Sequence, residues 1–142
     1  MADITVLVVD DQPLMLYAMK TLLDNEDGIS VVGTAEDGQA AVEQAHALTP
    51  DLVLMDLKMP CLNGVEATRR IVAELPGTRV LVITMFSTLD HVIPALRAGA
   101  SGYLVKDARA EEILAAIHGS MDDNLPLSPG VVRLLARQVI GG

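Results

Sequence analysis

Residues 51–64 read Asp51-Leu52-Val53-Leu54-Met55-Asp56-Leu57-Lys58-Met59-Pro60-Cys61-Leu62-Asn63-Gly64. The apolar run from Leu52 to Met55 is too short for an ordinary helix and lacks polar alternation, the pattern of a parallel-sheet strand covered on both faces. It stops at a carboxylate, Asp56, and Pro60 and Gly64 then shape a turn into a helix. Asp56 is therefore expected at the carboxyl edge of a sheet, where open α/β sheets place their ligands. Taken alone, such an aspartate is more commonly a helix cap or a solvent-facing group. Its companions at the other strand ends change that reading.

Working outward, Ile4 to Val9 form a first β-branched run that also ends in carboxylates, Asp10 and Asp11. Pro13 suits the first turn of a helix through Leu14, Tyr17, Ala18, Leu22 and Leu23, closed by Gly28. A second strand, Ile29 to Gly33, leads to Asp37 as N-cap of a helix that Pro50 ends. After the strand ending at Asp56, the spacing of Val65, Thr68, Ile71, Val72 and Leu75 predicts a third helix before Pro76-Gly77. Val80 to Ile83 make a fourth strand ending on Thr84. Ser87 and Asp90 then have capping-box spacing, but Pro94 disfavours so early a start, leaving a helix that begins near Asp90 or has weak first turns. A fifth strand, Gly102 to Val105, ends on Lys106, and Asp107 is placed to cap a helix with Ile113, Leu114, Ala116 and Ile117. Ser128-Pro129 opens a last amphipathic helix carrying Val132, Leu135, Ala136, Val139 and Ile140. Five strand-then-helix units with short connections predict right-handed crossovers and a doubly wound parallel sheet, for which the flavodoxin-like order 2-1-3-4-5 is the expectation adopted. Helices cover both faces, and one extra helix lies at the C-terminus.

Composition limits the function classes. The 142 residues suit one domain, and with about half of them apolar (51%) they can bury a full core, filled by aliphatic side chains and seven Met because aromatics are few. A formal net charge of −9 argues against direct binding to nucleic acid or to anionic membranes, and fits carboxylates gathered around a cation. One cysteine, Cys61, excludes an internal disulfide and a thiolate metal cluster, in keeping with a cytoplasmic location. His46, His91 and His118 are scattered and receive no metal or catalytic role.

Four of the five strands thus deliver polar groups to one edge: Asp10 and Asp11, Asp56, Thr84, and Lys106. With the first strand beside the third, these converge at the topological switch point. Three carboxylates at close quarters call for a cation, and hard oxygen ligands favour Mg²⁺, which also accepts phosphate oxygens. A carboxylate nucleophile, a divalent ion, a lysine and a hydroxyl donor are the parts that phosphoryl transfer requires.

Val-Val-Asp10-Asp11, Met-Asp56-Leu-Lys-Met-Pro60-Cys-Leu-Asn-Gly64, Ile-Thr84 and Gly-Tyr103-Leu-Val-Lys106, in that order, resemble the receiver domain of bacterial two-component response regulators from about Ile4 to His118. The approach Arg-Ala-Gly-Ala-Ser-Gly-Tyr103 and the pair Lys106-Asp107 are most similar to the NarL/FixJ-type subgroup. The resemblance implies that Asp56 takes a phosphoryl group from the phosphohistidine of a sensor histidine kinase. It implies Mg²⁺ bound by the carboxylates of Asp11 and Asp56 and by the Lys58 backbone carbonyl, with Asp10 acting directly or through water. Lys106 would pair with one phosphoryl oxygen, Thr84 would donate to another, and Tyr103 would be a switch aromatic that turns inward. Two positions depart from the common pattern. Met85 stands where a small residue is usual, narrowing access to Asp56, and Asp107 stands where many receivers have Pro, so no cis peptide is expected there.

A haloacid-dehalogenase-type phosphatase is the rival, but it wants Asp-x-Asp after the first strand and a cap insertion, neither present here. A phosphate-independent pseudo-receiver is disfavoured because every site position is chemically competent. Residues 1–120 are expected to form the receiver, and residues 121–142 a linker and amphipathic helix too short for a DNA-binding domain. The chain reads either as the receiver of a longer regulator, whose transcriptional output would pass through an effector domain outside these residues, or as a stand-alone receiver acting by protein-protein contact, and the 142 residues alone should not bind DNA. The stripe Val132, Leu135, Ala136, Val139 and Ile140 is expected to be buried against its own domain or a second copy, which would make a homodimer.

Overall fold

The computed structural model describes residues 3–57, 59 and 63–141. Five strands, β1 (Ile4–Val9), β2 (Ile29–Ala35), β3 (Leu52–Met55), β4 (Arg79–Thr84) and β5 (Gly102–Val105), lie in the order β2-β1-β3-β4-β5. Every neighbouring pair is parallel. Helices α1 (Pro13–Asp24), α2 (Gly38–Leu48), α3 (Gly64–Glu74), α4 (Leu89–Arg97) and α5 (Ala110–Met121) follow the strands in turn, and α6 (Pro129–Gly141) is the additional C-terminal helix. This is the doubly wound sheet expected from the sequence.

Side-chain alternation along the strands feeds both faces. Val6, Val8, Leu54, Leu81 and Ile83 meet Leu16, Met19 and Leu23 of α1 and Ile113 and Ile117 of α5. The intervening Leu7, Val9, Val53, Met55 and Val80 meet Ala41, Val42 and Ala45 of α2 and Ala67 and Ile71 of α3. A third cluster joins Val82 and Tyr103 to Val92 and Ala95 of α4 and Val131 of α6. Among the described residues, no helix is long and apolar enough to cross a membrane.

The Asp37 cap matches the sequence reading, its Oδ1 accepting from Ala40 N–H at 2.7 Å, and the structure adds an Asn63 cap on α3, whose Oδ1 accepts from Glu66 N–H at 2.9 Å. Elsewhere the boundaries move. α1 ends at Asp24 with Asn25 as its cap, so Gly28 (φ 87°) serves the turn into β2 rather than the helix end. β2 continues two residues past Gly33 because Ala35 still accepts a ladder bond from Asp10 N–H, 3.1 Å. α4 is capped by Thr88, not Ser87, since the Thr88 carbonyl takes the first helical bonds, from His91 and Val92 (both 3.0 Å). The helix tolerates Pro94 in its interior. Asp107 does not cap α5: Ala108 N–H closes a turn on Val105 (3.0 Å), which defers the helix to Ala110, with Arg109 as N-cap bonded to the Glu112 side chain at 3.2 Å.

The C-terminal helix also docks differently from expectation. Its buried anchor is Val131, which the predicted stripe omitted, while Val132, Val139 and Ile140 stay exposed and Leu135 is half-buried. Burial of one valine contributes about 1.5–2 kcal/mol, a light fastening for a helix of 13 residues.

Candidate functional site

The site is built by the first residues beyond the strands, which the sheet still holds. Asp10 N–H donates to Ala35 O (3.1 Å), Asp56 N–H to Val9 O (3.0 Å) and Lys106 N–H to Thr84 O (2.8 Å), so each backbone is fixed by one more ladder bond after its strand has ended. Because β1 lies between β2 and β3, Asp10 and Asp56 are brought side by side. Gly64 tightens the same corner: its N–H donates to Leu57 O at 2.8 Å, and a Cβ there would stand 2.2 Å from the Asp56 carbonyl oxygen. Only glycine permits that approach.

Carboxylate oxygens of Asp10, Asp11 and Asp56 lie within 4.8 Å of one another. Asp10 and Asp56 are buried and Asp11 is exposed, which gives the cluster one open side. Lys106 Nζ lies 2.7 Å from Asp10 Oδ2 and 3.5 Å from Asp56 Oδ2. Asp10 Oδ1 accepts from Gln12 N–H and Asp56 Oδ1 from Leu57 N–H, each at 2.9 Å, so it is the other oxygen of each carboxylate that faces Lys106. Burial raises the Asp56 pKa above the ordinary carboxylate value. Lys106 opposes the rise, Asp10 adds to it, and the Thr84 hydroxyl and the Leu57 N–H lower it. Thr84 is fully buried, and its Oγ1, although close enough to act on Asp56, has no completed hydrogen bond. A buried hydroxyl without an acceptor costs about 1–3 kcal/mol, and an anion beside Asp56 would supply one.

An open cavity of about 290 Å³, lined by Asp11, Gln12, Asp56, Met85, Phe86 and Lys106, leads to the carboxylates. Met85 is 69% exposed and sits at its mouth. Tyr103 is wholly buried, its hydroxyl donating to the Phe86 carbonyl, and burial with the nearby Asp56 charge pushes its pKa well up. The structure therefore brings together Asp10, Asp11, Asp56, Thr84 and Lys106 and sets Tyr103 behind them. Lys58, the expected backbone ligand, lies outside the described residues, as do Pro60 and Cys61. Sequence reading missed Gln12, whose main chain orients Asp10, and Phe86, whose carbonyl holds Tyr103. Both act through backbone atoms, which leave no residue-type signal.

Residues 6–118 match the family described as the response regulator receiver domain. The chain is 40% identical over 126 residues to the transcriptional regulatory protein LnrK of Bacillus subtilis (strain 168), covering 89% of this chain and 57% of that protein. It is 36% identical over 132 residues to the nitrate/nitrite response regulator protein NarL of Escherichia coli (strain K12), covering 93% and 61%. It thus spans about three-fifths of the length of these relatives. Among solved structures, a two-component response regulator of the LuxR family from Aurantimonas sp. SI85-9A1 superposes with a TM-score of 0.90 at 30% identity, covering 98% of this chain and 99% of that one. The strand-end cluster of acids, hydroxyl and lysine on a 2-1-3-4-5 sheet, together with a family match over most of the chain, makes this protein a receiver domain of two-component response regulators, of the NarL/FixJ-type subgroup.

Proposed function

We propose that Asp56 is the phosphoacceptor. The observation that carries the reading is the conjunction at one carboxylate: a buried Asp56, Lys106 at 3.5 Å, two further acids within 4.8 Å and an unsatisfied Thr84 hydroxyl beside it. An Asp56 carboxylate oxygen attacks the phosphorus of a phosphohistidine on a sensor histidine kinase. The new O–P bond forms as the P–N bond breaks, and the bonding pair leaves with the imidazole. Lys106 offsets charge on one phosphoryl oxygen and Thr84 donates to another.

The oxygen-only donor set of Asp10, Asp11 and Asp56, open on the Asp11 side, suits Mg²⁺, with Asp11 and Asp56 as its main holders and Lys58 as the backbone contributor. Bound there, the ion would neutralise the transferring oxygens. Output is proposed to be transcriptional, exerted by a DNA-binding domain outside these 142 residues, in keeping with the names of the regulators to which the chain is similar. Residues 1–120 act as the receiver and residues 121–142 as its C-terminal extension, and the exposed stripe on α6 offers a surface for self-association. Intact-mass analysis after incubation with a small phosphodonor and Mg²⁺ tests the central claim. A gain of one phosphoryl group that needs Mg²⁺ and vanishes in Asp56→Asn is expected, and undiminished labelling of that variant would sink the assignment.

A further inference from the structure

Residues 122–128 return from α5 to the outer edge of the sheet. Asn124 N–H donates to Gly119 O at 2.8 Å, Asp123 (φ 58°) and Leu125 (φ 51°) occupy the left-handed region, and Arg79 Nε lies 3.1 Å from Asp123 Oδ1. Beyond this turn Tyr103 N–H donates to Pro126 O (2.9 Å), Ser128 N–H donates to Tyr103 O (3.0 Å) and Val105 N–H donates to Ser128 Oγ (3.0 Å). Tyr103 and Leu127 thus form a parallel bridge that caps the free edge of β5. Gly102 makes the room, since a Cβ there would meet the Pro126 carbonyl oxygen at 2.7 Å. One turn further on, Val131 is buried against Tyr103, Val92 and Ala95. At its other end the Tyr103 hydroxyl holds Phe86 O, two residues beyond Thr84.

We propose that residues 126–131 form a latch on the edge of β5, and that filling the Asp56 site tightens it through Tyr103, pressing α6 onto α4. This rests on Asp56 being the phosphoacceptor. An anion on Asp56 gives the Thr84 hydroxyl the acceptor it lacks and steadies the connection from Thr84 to Phe86. The Phe86 carbonyl then holds Tyr103 inward, the position in which its main chain pairs with Pro126 and Ser128 and its ring supports Val131. Signal would leave the receiver as the docking of α6. Two strained backbone positions and a single buried anchor make the undocked state accessible when the site is empty.

Amide exchange by mass spectrometry on the full chain with Mg²⁺, with and without the phosphoryl mimic beryllofluoride, tests this. In the native sequence, segments 84–88 and 126–135 should slow together. In Gly102→Ala, and in the milder Val131→Ser on α6 itself, exchange in 126–135 should quicken about tenfold without the mimic. The mimic should then still slow 84–88 but not 126–135, and slow exchange at 80–83 would show that the core is intact. A native chain in which 84–88 responds while 126–135 is unchanged or faster overturns the latch and leaves Asp56 standing. No response at 84–88 overturns the Thr84 coupling and the latch with it, whereas undiminished phosphodonor labelling of Asp56→Asn would overturn the phosphoacceptor reading.

Discussion

The Lys106 ammonium stands 3.5 Å from Asp56 Oδ2, farther than its 2.7 Å contact with Asp10, so Lys106, the one lysine at the site among the described residues, is shared between two buried acids. A third carboxylate, Asp11, lies in the same cluster, and Lys106 offsets only one of these three charges. Replacing Lys106 by a neutral chain of similar length leaves Asp10 and Asp56 without the cation that joins them. Lys106→Met should therefore cost about 3 kcal/mol in denaturant unfolding with a chelator present, and millimolar Mg²⁺ should restore part of the loss. Equal stability of variant and native chain in chelator would mean that Lys106 does not support the acidic pair.

Asp11 is the exposed member of the cluster and makes the smallest structural contribution, so its removal separates metal binding from folding. Asp11→Ala should keep its unfolding midpoint within about 0.5 kcal/mol of the native chain while Mg²⁺ affinity falls at least about tenfold by calorimetry. Unchanged Mg²⁺ affinity would remove Asp11 from the ligand set.

Asp56 yields a pH prediction. Its folded pKa lies above the unfolded value of 3.8, chiefly because of burial, so the folded state holds this proton more tightly than the unfolded chain does. The ionised group therefore costs stability above its folded pKa, and that cost is relieved as pH falls through the folded pKa toward 3.8. Asp56→Asn should unfold at a higher temperature than the native chain at pH 7, with the gap closing as the solution is acidified. A gap that widens on acidification would reverse the sign of the shift.

Thr84 gives a stability test of the switch. Thr84→Val keeps the shape and discards a buried hydroxyl that lacks a partner, so the unphosphorylated chain should gain roughly 1 kcal/mol. Beryllofluoride should then stabilise the variant less than it stabilises the native chain. If thermal shifts on adding the mimic are equal in the two, Thr84 does not report the phosphoryl group.

Gly64→Ala tests the support under Asp56. The added methyl would lie 2.2 Å from the Asp56 carbonyl oxygen and 2.6 Å from Leu57 Cα, both backbone atoms that cannot step aside cheaply. At least about 2 kcal/mol should be lost, together with most phosphoryl acceptance by intact mass. Full acceptance by a stable variant would show that the corner is softer than its packing implies.

Much of this protein was legible in its residues taken in order. Strands ending in Asp10, Asp56, Thr84 and Lys106 announce themselves because a buried parallel strand is a short apolar run, and the first polar residue after it must lie at the sheet edge. Short connections and crossover handedness called for a doubly wound parallel sheet, and the strand pairing that sets β1 beside β3 brings the carboxylates together. What the chain order could not reveal are relations made by backbone atoms, whether across long separations or within one helical turn. Phe86 O receives the Tyr103 hydroxyl, Pro126 and Ser128 pair with Tyr103, and the Thr88 and Arg109 caps displace Ser87 and Asp107. Every residue carries the same carbonyl and, except proline, the same N–H, so nothing in residue type says which of them will meet. The same limit explains α6: its periodicity marks an amphipathic helix, but which residue anchors it depends on where the bridge to β5 sets it down, and that places Val131 inward and leaves Val139 and Ile140 in solvent.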